Sequence, residues 1–267
     1  MQRQLVKNQT INQILRKAAA GTVLAGVALL LTTALSASAD NSCFKPEIIP
    51  PGPQYSWLLA EYWQWSLSFP ANADPAGDTA PQESNQSGPV WFLAGIHASA
   101  VNGGSGTVSR QITMPTGTAL FFPILSIYGD DSGCPVFTNL TVNELRAVNA
   151  GDWSYVTETT CTIDGVAVKG LANPQTSRYL IQSPPFSYTL ASSNNLLAAD
   201  YGEPCIPDGM TIYPAVAEGM CLLLAPLPPG NHTIHFVGIV GPVESPFVYF
   251  DETYEVTVKL PVKNHIK

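Results

Sequence analysis

The chain has 267 residues, with 12 Lys or Arg against 20 Asp or Glu, so its formal net charge is −8. An acidic chain is repelled by phosphate backbones and anionic lipid surfaces, which argues against nucleic-acid binding. With 45% hydrophobic residues, the chain can bury a substantial core in one β-rich domain or in two small ones.

Residues 1–39 have the features of an export signal. Four basic residues precede an apolar run from 18 to 35, and Ala37-Ser38-Ala39 forms a signal-peptidase site. A retained membrane anchor is the alternative, but the proline-rich sequence after this site favours cleavage. We therefore predict a signal peptide (1–39) and a single secreted β-rich domain (40–267), periplasmic or extracellular, with no stable membrane insertion. Cleavage removes four basic residues and changes the net charge to −12.

All five cysteines lie in the predicted secreted domain. An oxidising compartment permits disulfides, and an odd number leaves one cysteine over. The predicted pairs are Cys205 with Cys221, which would close a short loop, and Cys134 with Cys161, which would tie an irregular segment to a strand. Cys43 remains unpaired in this scheme.

The segment from Pro53 to Pro70 contains three of the five tryptophans and is predicted to be a helix that ends before Pro70. On a helical wheel its apolar arc comprises Leu59, Tyr62, Trp63, Ser66, Leu67 and Phe69. The opposite, polar stripe comprises Gln54, Glu61, Gln64 and Ser68, with Trp57 among them and Trp65 at its edge. The apolar arc is predicted to pack against strands built from Trp91 and Phe121-Phe122.

Trp57, Glu61 and Trp65 are the candidate ligand-binding residues. They could form a ledge on which a tryptophan face stacks against a sugar ring while the carboxylate accepts hydrogen bonds from hydroxyls. The alternative is that both tryptophans are packing residues. A glycosidase would need a second carboxylate about 5–10 Å from Glu61, and Asp74 and Asp78 are the candidates for that position.

A polar loop from 71 to 88 follows the helix, and loops of this length are uncommon in compact domains. It either covers the polar stripe or leaves it open. Asn72, Asp74 and Asp78 offer the oxygen ligands that Ca²⁺ prefers, but their spacing matches no EF-hand. Ordinary turn chemistry also explains Asp before Pro and Gly, so Ca²⁺ is a weak candidate and no other cofactor is expected.

The remaining pattern is that of a β protein. Pro89–Gly95 and Thr107–Met114 are predicted to form a hairpin, and Thr118–Leu125 is apolar almost throughout, which indicates a strand covered on both faces. A capping box at Thr141 predicts a helix of about two turns that ends near Gly151.

The clearest turn signal is Asp164-Gly165, which predicts a type I′ hairpin within Thr159–Lys169. Five further strands are predicted, at Phe186–Leu190, Met210–Ala217, Met220–Leu227, Asn231–Ile239 and Phe247–Val262. Apolar and polar residues alternate in the last of these strands, so one of its faces should be exposed to solvent. The fold predicted is mainly β, a β-sandwich of Ig-like or jelly-roll type with two short helices.

Two sequence patterns that include histidines are candidates for a protease site and a metal site, and neither has the spacing required. The segment 131–135 resembles the nucleophile segment of chymotrypsin-like proteases, yet only 35 positions separate His97 from Ser132, too few for the intervening barrel. His232 and His235 should point to opposite faces of a strand, so they are poorly placed to bind one ion. The sequence also lacks Cys-x-x-Cys pairs and a phosphate-binding glycine loop.

Several segments spread over the predicted secreted domain resemble a group of secreted bacterial proteins of unassigned function. They are Trp63-Gln64-Trp65, 88–95 (GPVWFLAG), 118–123 (TALFFP), 162–165 (TIDG), 226–236 (PLPPGNHTIHF) and 253–258. The resemblance implies export and an Ig-like C-terminal part, and it carries over no catalytic residue. We therefore predict a secreted, non-catalytic binding or interaction protein whose partner is a carbohydrate or a protein. The alternative is a secreted hydrolase that acts on glycans through carboxylates near Glu61.

Overall fold

The protein is a β-sandwich with short helices, as the computed structural model shows for residues 45–97, 105–133, 139–201 and 206–260. The predicted signal peptide lies outside these residues. The strands are β1 Val90–Phe92, β2 Gly106–Pro115, β3 Ala119–Asp130, β4 Val156–Ile163, β5 Val166–Ala167, β6 Leu180–Gln182, β7 Phe186–Thr189, β8 Thr211–Leu224, β9 Gly230–Val240 and β10 Val248–Lys259. The α-helices are α1 Pro53–Leu67, α2 Val142–Trp153 and α3 Leu196–Tyr201, and a 3-10 turn spans Ala71–Ala73.

Two five-stranded sheets form the sandwich. The first has the order β1-β3-β8-β6, with β7 also paired to β8, and the second has the order β2-β10-β9-β4-β5. The predicted hairpin of the first two strands is wrong, because β1 pairs in parallel with β3 while β2 pairs in parallel with β10. Alternation identifies a half-buried strand but not its partner.

Aromatic side chains fill the space between the sheets and below the helix. Phe122 of β3 stacks on Phe236 of β9, with 5.2 Å between ring centroids, and Phe236 stacks on Tyr254 of β10. On the other face of β3, Phe121 contacts Tyr55 of α1 at 6.0 Å. The molecule therefore has three layers here, and the prediction that β3 is covered on both faces is confirmed.

Helix α1 begins at Pro53, where the fixed φ of proline suits the first turn, and it ends at Leu67 before Pro70, as predicted. Its buried residues are Tyr55, Leu59, Ala60, Tyr62, Trp63, Trp65, Ser66 and Leu67. They include five of the six residues of the predicted apolar arc, and the sixth, Phe69, is buried just after the helix. No helix among the described residues has the length and apolar composition needed to span a membrane.

Local signals elsewhere are confirmed. The side chains of Thr141 and Glu144 form the predicted capping box, although α2 has 12 residues and exceeds two turns. Asp164 and Gly165 both have positive φ, of 50° and 76°, as a type I′ turn requires. Helix α3 was not predicted from the sequence.

The two strands predicted on either side of Glu218 are a single strand, β8. Gly219 does not mark a turn, because its missing side chain allows close approach to β3. A Cβ atom there would lie 2.5 Å from the Cβ of Ser126.

The structure does not contain the predicted disulfides. Cys161 of β4 and Cys221 of β8 are both free and buried, and burial raises the pKa of each thiol. They pack as small apolar side chains in the core, which cysteine does readily. Their predicted partners, Cys134 and Cys205, lie outside the described residues, as does Cys43.

Candidate functional site

One side of α1 remains open to solvent. Trp57 is 61% exposed, and Gln54, Glu61 and Gln64 are exposed on the same stripe. We call these four residues the open stripe. Since side chains three and four positions apart are neighbours on a helix, Gln54 and Glu61 flank Trp57 one turn to either side. The stripe therefore presents an indole between hydrogen-bonding groups.

The open stripe is held on a fixed base. The opposite side of α1 packs on the first sheet, and the Nε2 of Gln64 donates a 2.7 Å hydrogen bond to the carbonyl of Ser187 in β7. The helix cannot rotate Trp57 into the core without breaking these contacts.

Trp65 lies in a different environment from Trp57. It is 9% exposed, packs against Phe69 and Phe92, and its Nε1 donates to the carbonyl of Ser84 at 3.2 Å. The interpretation of both tryptophans as packing residues therefore holds for Trp65 but not for Trp57. The two do not form one ledge.

Asp74 forms a turn inside the 71–88 loop. Its two carboxylate oxygens accept hydrogen bonds from the backbone N–H groups of Ala76 and Gly77, both at 3.0 Å. The side chain is buried, and one oxygen also lies 3.4 Å from Nδ1 of His97. Asp74 is thus occupied by its own loop.

Asp78 binds a buried arginine of β2. The Nε of Arg110 lies 2.7 Å from one carboxylate oxygen of Asp78, and a terminal nitrogen lies 3.2 Å from the other. The Arg110 side chain is 3% exposed and also donates to the carbonyls of Ala76, Ala94 and Gly95. This bidentate contact fixes the 71–88 loop to the sandwich.

A second carboxylate shares Arg110. Glu252 of β10 is 2% exposed, and its carboxylate lies 3.4 Å from the guanidinium. Burial raises the pKa of Glu252 to about 8, an effect that the charge of Arg110 opposes but does not cancel. Tyr254 completes the group, since its hydroxyl accepts a hydrogen bond from Arg110 at 3.2 Å.

Arg110 is not among the site residues predicted from the sequence, although its position in β2 carries a signal. Arg110 alternates with Ile112 and Met114 along β2, and all three face the core. A cation at an inward position of a strand needs buried partners, which here come from the 71–88 loop and β10.

The 71–88 loop also covers one edge of each sheet. The side-chain amide of Gln86 bonds both the N–H and the C=O of Phe92 in β1, at 2.9 and 2.7 Å. A carboxylate oxygen of Glu83 accepts from the N–H of Thr113 in β2 at 2.8 Å. Exposed strand edges can pair with other chains, and these side chains occupy that pairing capacity.

His97 joins α1 to this loop. The Oγ of Ser66 lies 3.0 Å from its Nε2, and Nδ1 faces Asp74, so the connectivity is that of a Ser-His-Asp triad. Ser66 is only 2% exposed, however, and a nucleophile must touch the carbon that it attacks. In this structure the array links buried elements and does not form an accessible catalytic site.

The other two described histidines lie as the strand alternation predicts. His232 is buried, with Nδ1 2.7 Å from a carboxylate oxygen of Asp164. His235 is half exposed on the outer face and lies 2.8 Å from Asp251. Among the described residues no group of three or more His, Cys, Asp or Glu side chains is arranged to hold a metal ion.

A shallow surface pocket lies beside α3, next to the start of the 71–88 loop, where the N–H of Ala71 bonds the carbonyl of Asn194. Its lining includes Asn195, Ile206 and Asp208, and none of the five residues predicted to bind ligand lines it. The Asn195 amide already bonds Asp208 and the carbonyl of Ile206. This pocket is a local feature of the turn around α3.

Comparison with protein-family models finds no match to this chain, and comparison with curated protein sequences finds no match either. Comparison with solved structures finds a similar chain in the structure titled "Structure of PbICP-C in complex with falcipain-2". The match has 11% sequence identity and a TM-score of 0.26, and it covers 64% of this chain and 100% of that chain. A TM-score this low supports no conclusion about fold or function.

Proposed function

We propose that the protein is a secreted, non-catalytic binding protein whose open stripe on α1 contacts a carbohydrate. The observation that carries this proposal is the exposure of Trp57, at 61%, on a helix whose other tryptophans, Trp63 and Trp65, are buried. A large aromatic side chain held in solvent on a rigid element is typical of an interaction site.

The chemistry of the neighbours favours a sugar. The indole of Trp57 offers a flat apolar face to the C–H groups of a pyranose ring. The carboxylate of Glu61 accepts hydrogen bonds from hydroxyl groups, and the amide of Gln54 can both donate and accept. Because α1 is fixed by its buried side, little ordering is needed when a ligand binds.

The proposal that the protein is non-catalytic is supported by the positions of the two other candidate carboxylates, Asp74 and Asp78. Asp74 is bonded within its own turn and Asp78 is paired with Arg110, so neither supplies Glu61 with a second carboxylate. The glycan hydrolase remains the alternative, and it would need an acid other than these two.

Export is proposed from the sequence of residues 1–39 and from the resemblance to secreted bacterial proteins. N-terminal sequencing of protein recovered from the medium or periplasm tests this directly. The expected first residue is Asp40, and an intact N-terminus on the recovered protein would contradict the proposal.

A glycan-binding screen on the mature protein tests the ligand class. We expect Trp57→Ala and Glu61→Gln each to weaken any glycan binding by about five- to thirtyfold, since each removes a contact of the order of 1–2 kcal/mol. Tyr213→Ala is the matched control, because Tyr213 is 64% exposed but lies on β8. If both α1 variants bind as the unmodified protein does, the site lies elsewhere. Binding to proteins alone would assign the stripe to a protein partner.

A further inference from the structure

The open stripe carries a single acidic side chain. Glu61 is the only charged side chain in the α1 sequence PQYSWLLAEYWQWSL. Among the described residues no Lys, Arg or His forms an ion pair with it. Its charge is therefore available to a ligand, unlike that of Asp78, which Arg110 neutralises.

An exposed indole next to a free carboxylate fits a cation. The π face of tryptophan attracts an ammonium group placed over it, and tryptophan is the best of the aromatic residues in this respect. A carboxylate one helical turn away can accept a charge-assisted hydrogen bond from the same ammonium. The chain as a whole, with its net charge of −8, attracts cationic ligands at longer range.

The shape of the stripe favours an extended glycan over a single side chain. Gln54 and Gln64 lie ten residues apart, which is about 15 Å along a helix, with Trp57 and Glu61 between them. The Nε2 of Gln64 is bonded to Ser187, so Gln64 offers its amide oxygen, and Gln54 its whole amide, to the hydroxyls of successive sugar units, with the ammonium recognised in the middle.

We propose that the open stripe selects a glycan with free hexosamine amino groups over N-acetylated, neutral or acidic glycans. This inference rests on the proposed function and names the ligand class of that same site. Acetylation removes the positive charge and the ammonium donors, so it removes the groups that Trp57 and Glu61 recognise.

The test compares oligomers of equal length by titration calorimetry: β-linked glucosamine, its fully N-acetylated form, a neutral glucan and a uronic-acid oligomer. We expect the glucosamine oligomer to bind at least about tenfold more tightly than the N-acetylated one. Glu61→Gln should abolish this preference, whereas Trp57→Ala should weaken binding of both. Raising the salt concentration should reduce the preference, because salt screens exposed charges.

Glu244→Gln is the matched control, since Glu244 is exposed in the turn between β9 and β10. If it lowers glucosamine binding as much as Glu61→Gln, the attraction is general and the inference is overturned. Equal affinity for the glucosamine and N-acetylated oligomers, still sensitive to Trp57→Ala, overturns the selectivity but leaves the proposed function intact. If none of the oligomers binds, both the selectivity and the proposed glycan-binding function are contradicted. A lysine peptide that matches the glucosamine oligomer, with the same dependence on Glu61, overturns the assignment to a glycan.

Discussion

Two tryptophans on one helix, Trp57 and Trp65, lie in opposite situations. They are eight residues apart, yet Trp57 is 61% exposed and Trp65 is 9% exposed. The difference comes from the 71–88 loop, which covers Trp65 and accepts the hydrogen bond of its indole. Residue type alone therefore does not separate an exposed tryptophan from a packing one. The segment that folds over it does.

The carboxylates show the same contrast. Asp74 and Asp78 are carboxylates like Glu61, but Asp74 is bonded within its own loop and Asp78 is paired with Arg110 of β2. Glu61 has no such partner among the described cations. The side of α1 that faces the 71–88 loop is buried and bonded, and the open stripe is exposed to solvent.

The largest expected effect on stability is at Arg110, which holds the 71–88 loop on β2. Arg110→Met should lower the free energy of unfolding by about 3–5 kcal/mol, because it leaves the buried carbonyls of Ala76 and Ala94 without their donor and Asp78 without its cation. Denaturant unfolding measures this. Arg178→Met is the control, since Arg178 is exposed and contacts only the ring and hydroxyl of Tyr179 in the described structure. Equal losses in both variants would contradict the role given to Arg110.

Glu252 should make stability depend on pH. Its pKa is raised to about 8 in the folded state, from 4.5, so the folded protein holds a proton that the unfolded chain releases. Its contribution is therefore fully present below pH 4.5 and is lost as pH rises through 8. Unfolding free energies measured across this range should fall with rising pH, and Glu252→Gln should flatten the curve. An unchanged slope in that variant would assign the effect to another group.

A smaller effect is expected where the loop covers a sheet edge. Gln86→Ala removes two hydrogen bonds to Phe92 and should cost about 1–2 kcal/mol. Hydrogen exchange at the Phe92 amide should become faster. Gln54→Ala, on the open stripe, is the matched control and should leave that amide unchanged. Normal protection at Phe92 in the Gln86 variant would show that the edge is covered by something else.

The smallest effect on stability is expected at the proposed binding residue itself. Trp57→Ala should change the free energy of unfolding by no more than about 0.5 kcal/mol, since exposed side chains contribute little. Trp65→Ala should cost about 3 kcal/mol or more, because it leaves a cavity in the core. Similar losses in the two variants would erase the distinction between the two sides of α1.

Features that depend on neighbouring residues could be predicted from the sequence. The ends of α1, the capping box at Thr141 and the turn at Asp164-Gly165 all follow from local conformational preferences, and each is confirmed. The continuous apolar run of β3 likewise predicted burial on both faces.

Features that depend on distant partners could not be predicted in this way. The partner of β2 is β10, some 140 positions further along the chain, and no local pattern identifies it. The same holds for Arg110, whose partners come from three separate segments, and for Trp65, which the 71–88 loop covers. The number and positions of the cysteines predicted two disulfides, but Cys161 and Cys221 are free and pack in the core.

The pairing of β2 with β10 also has a consequence for the order of events during synthesis. Strand β2 has a neighbour on one side only, and that neighbour is the last strand of the described chain. The second sheet therefore cannot be completed while the C-terminal segment is still being made. Contacts between such distant segments form slowly. For a chain exported in the manner we propose, this delay would keep the polypeptide unfolded, and so able to thread through a translocation channel, until its last residues have emerged.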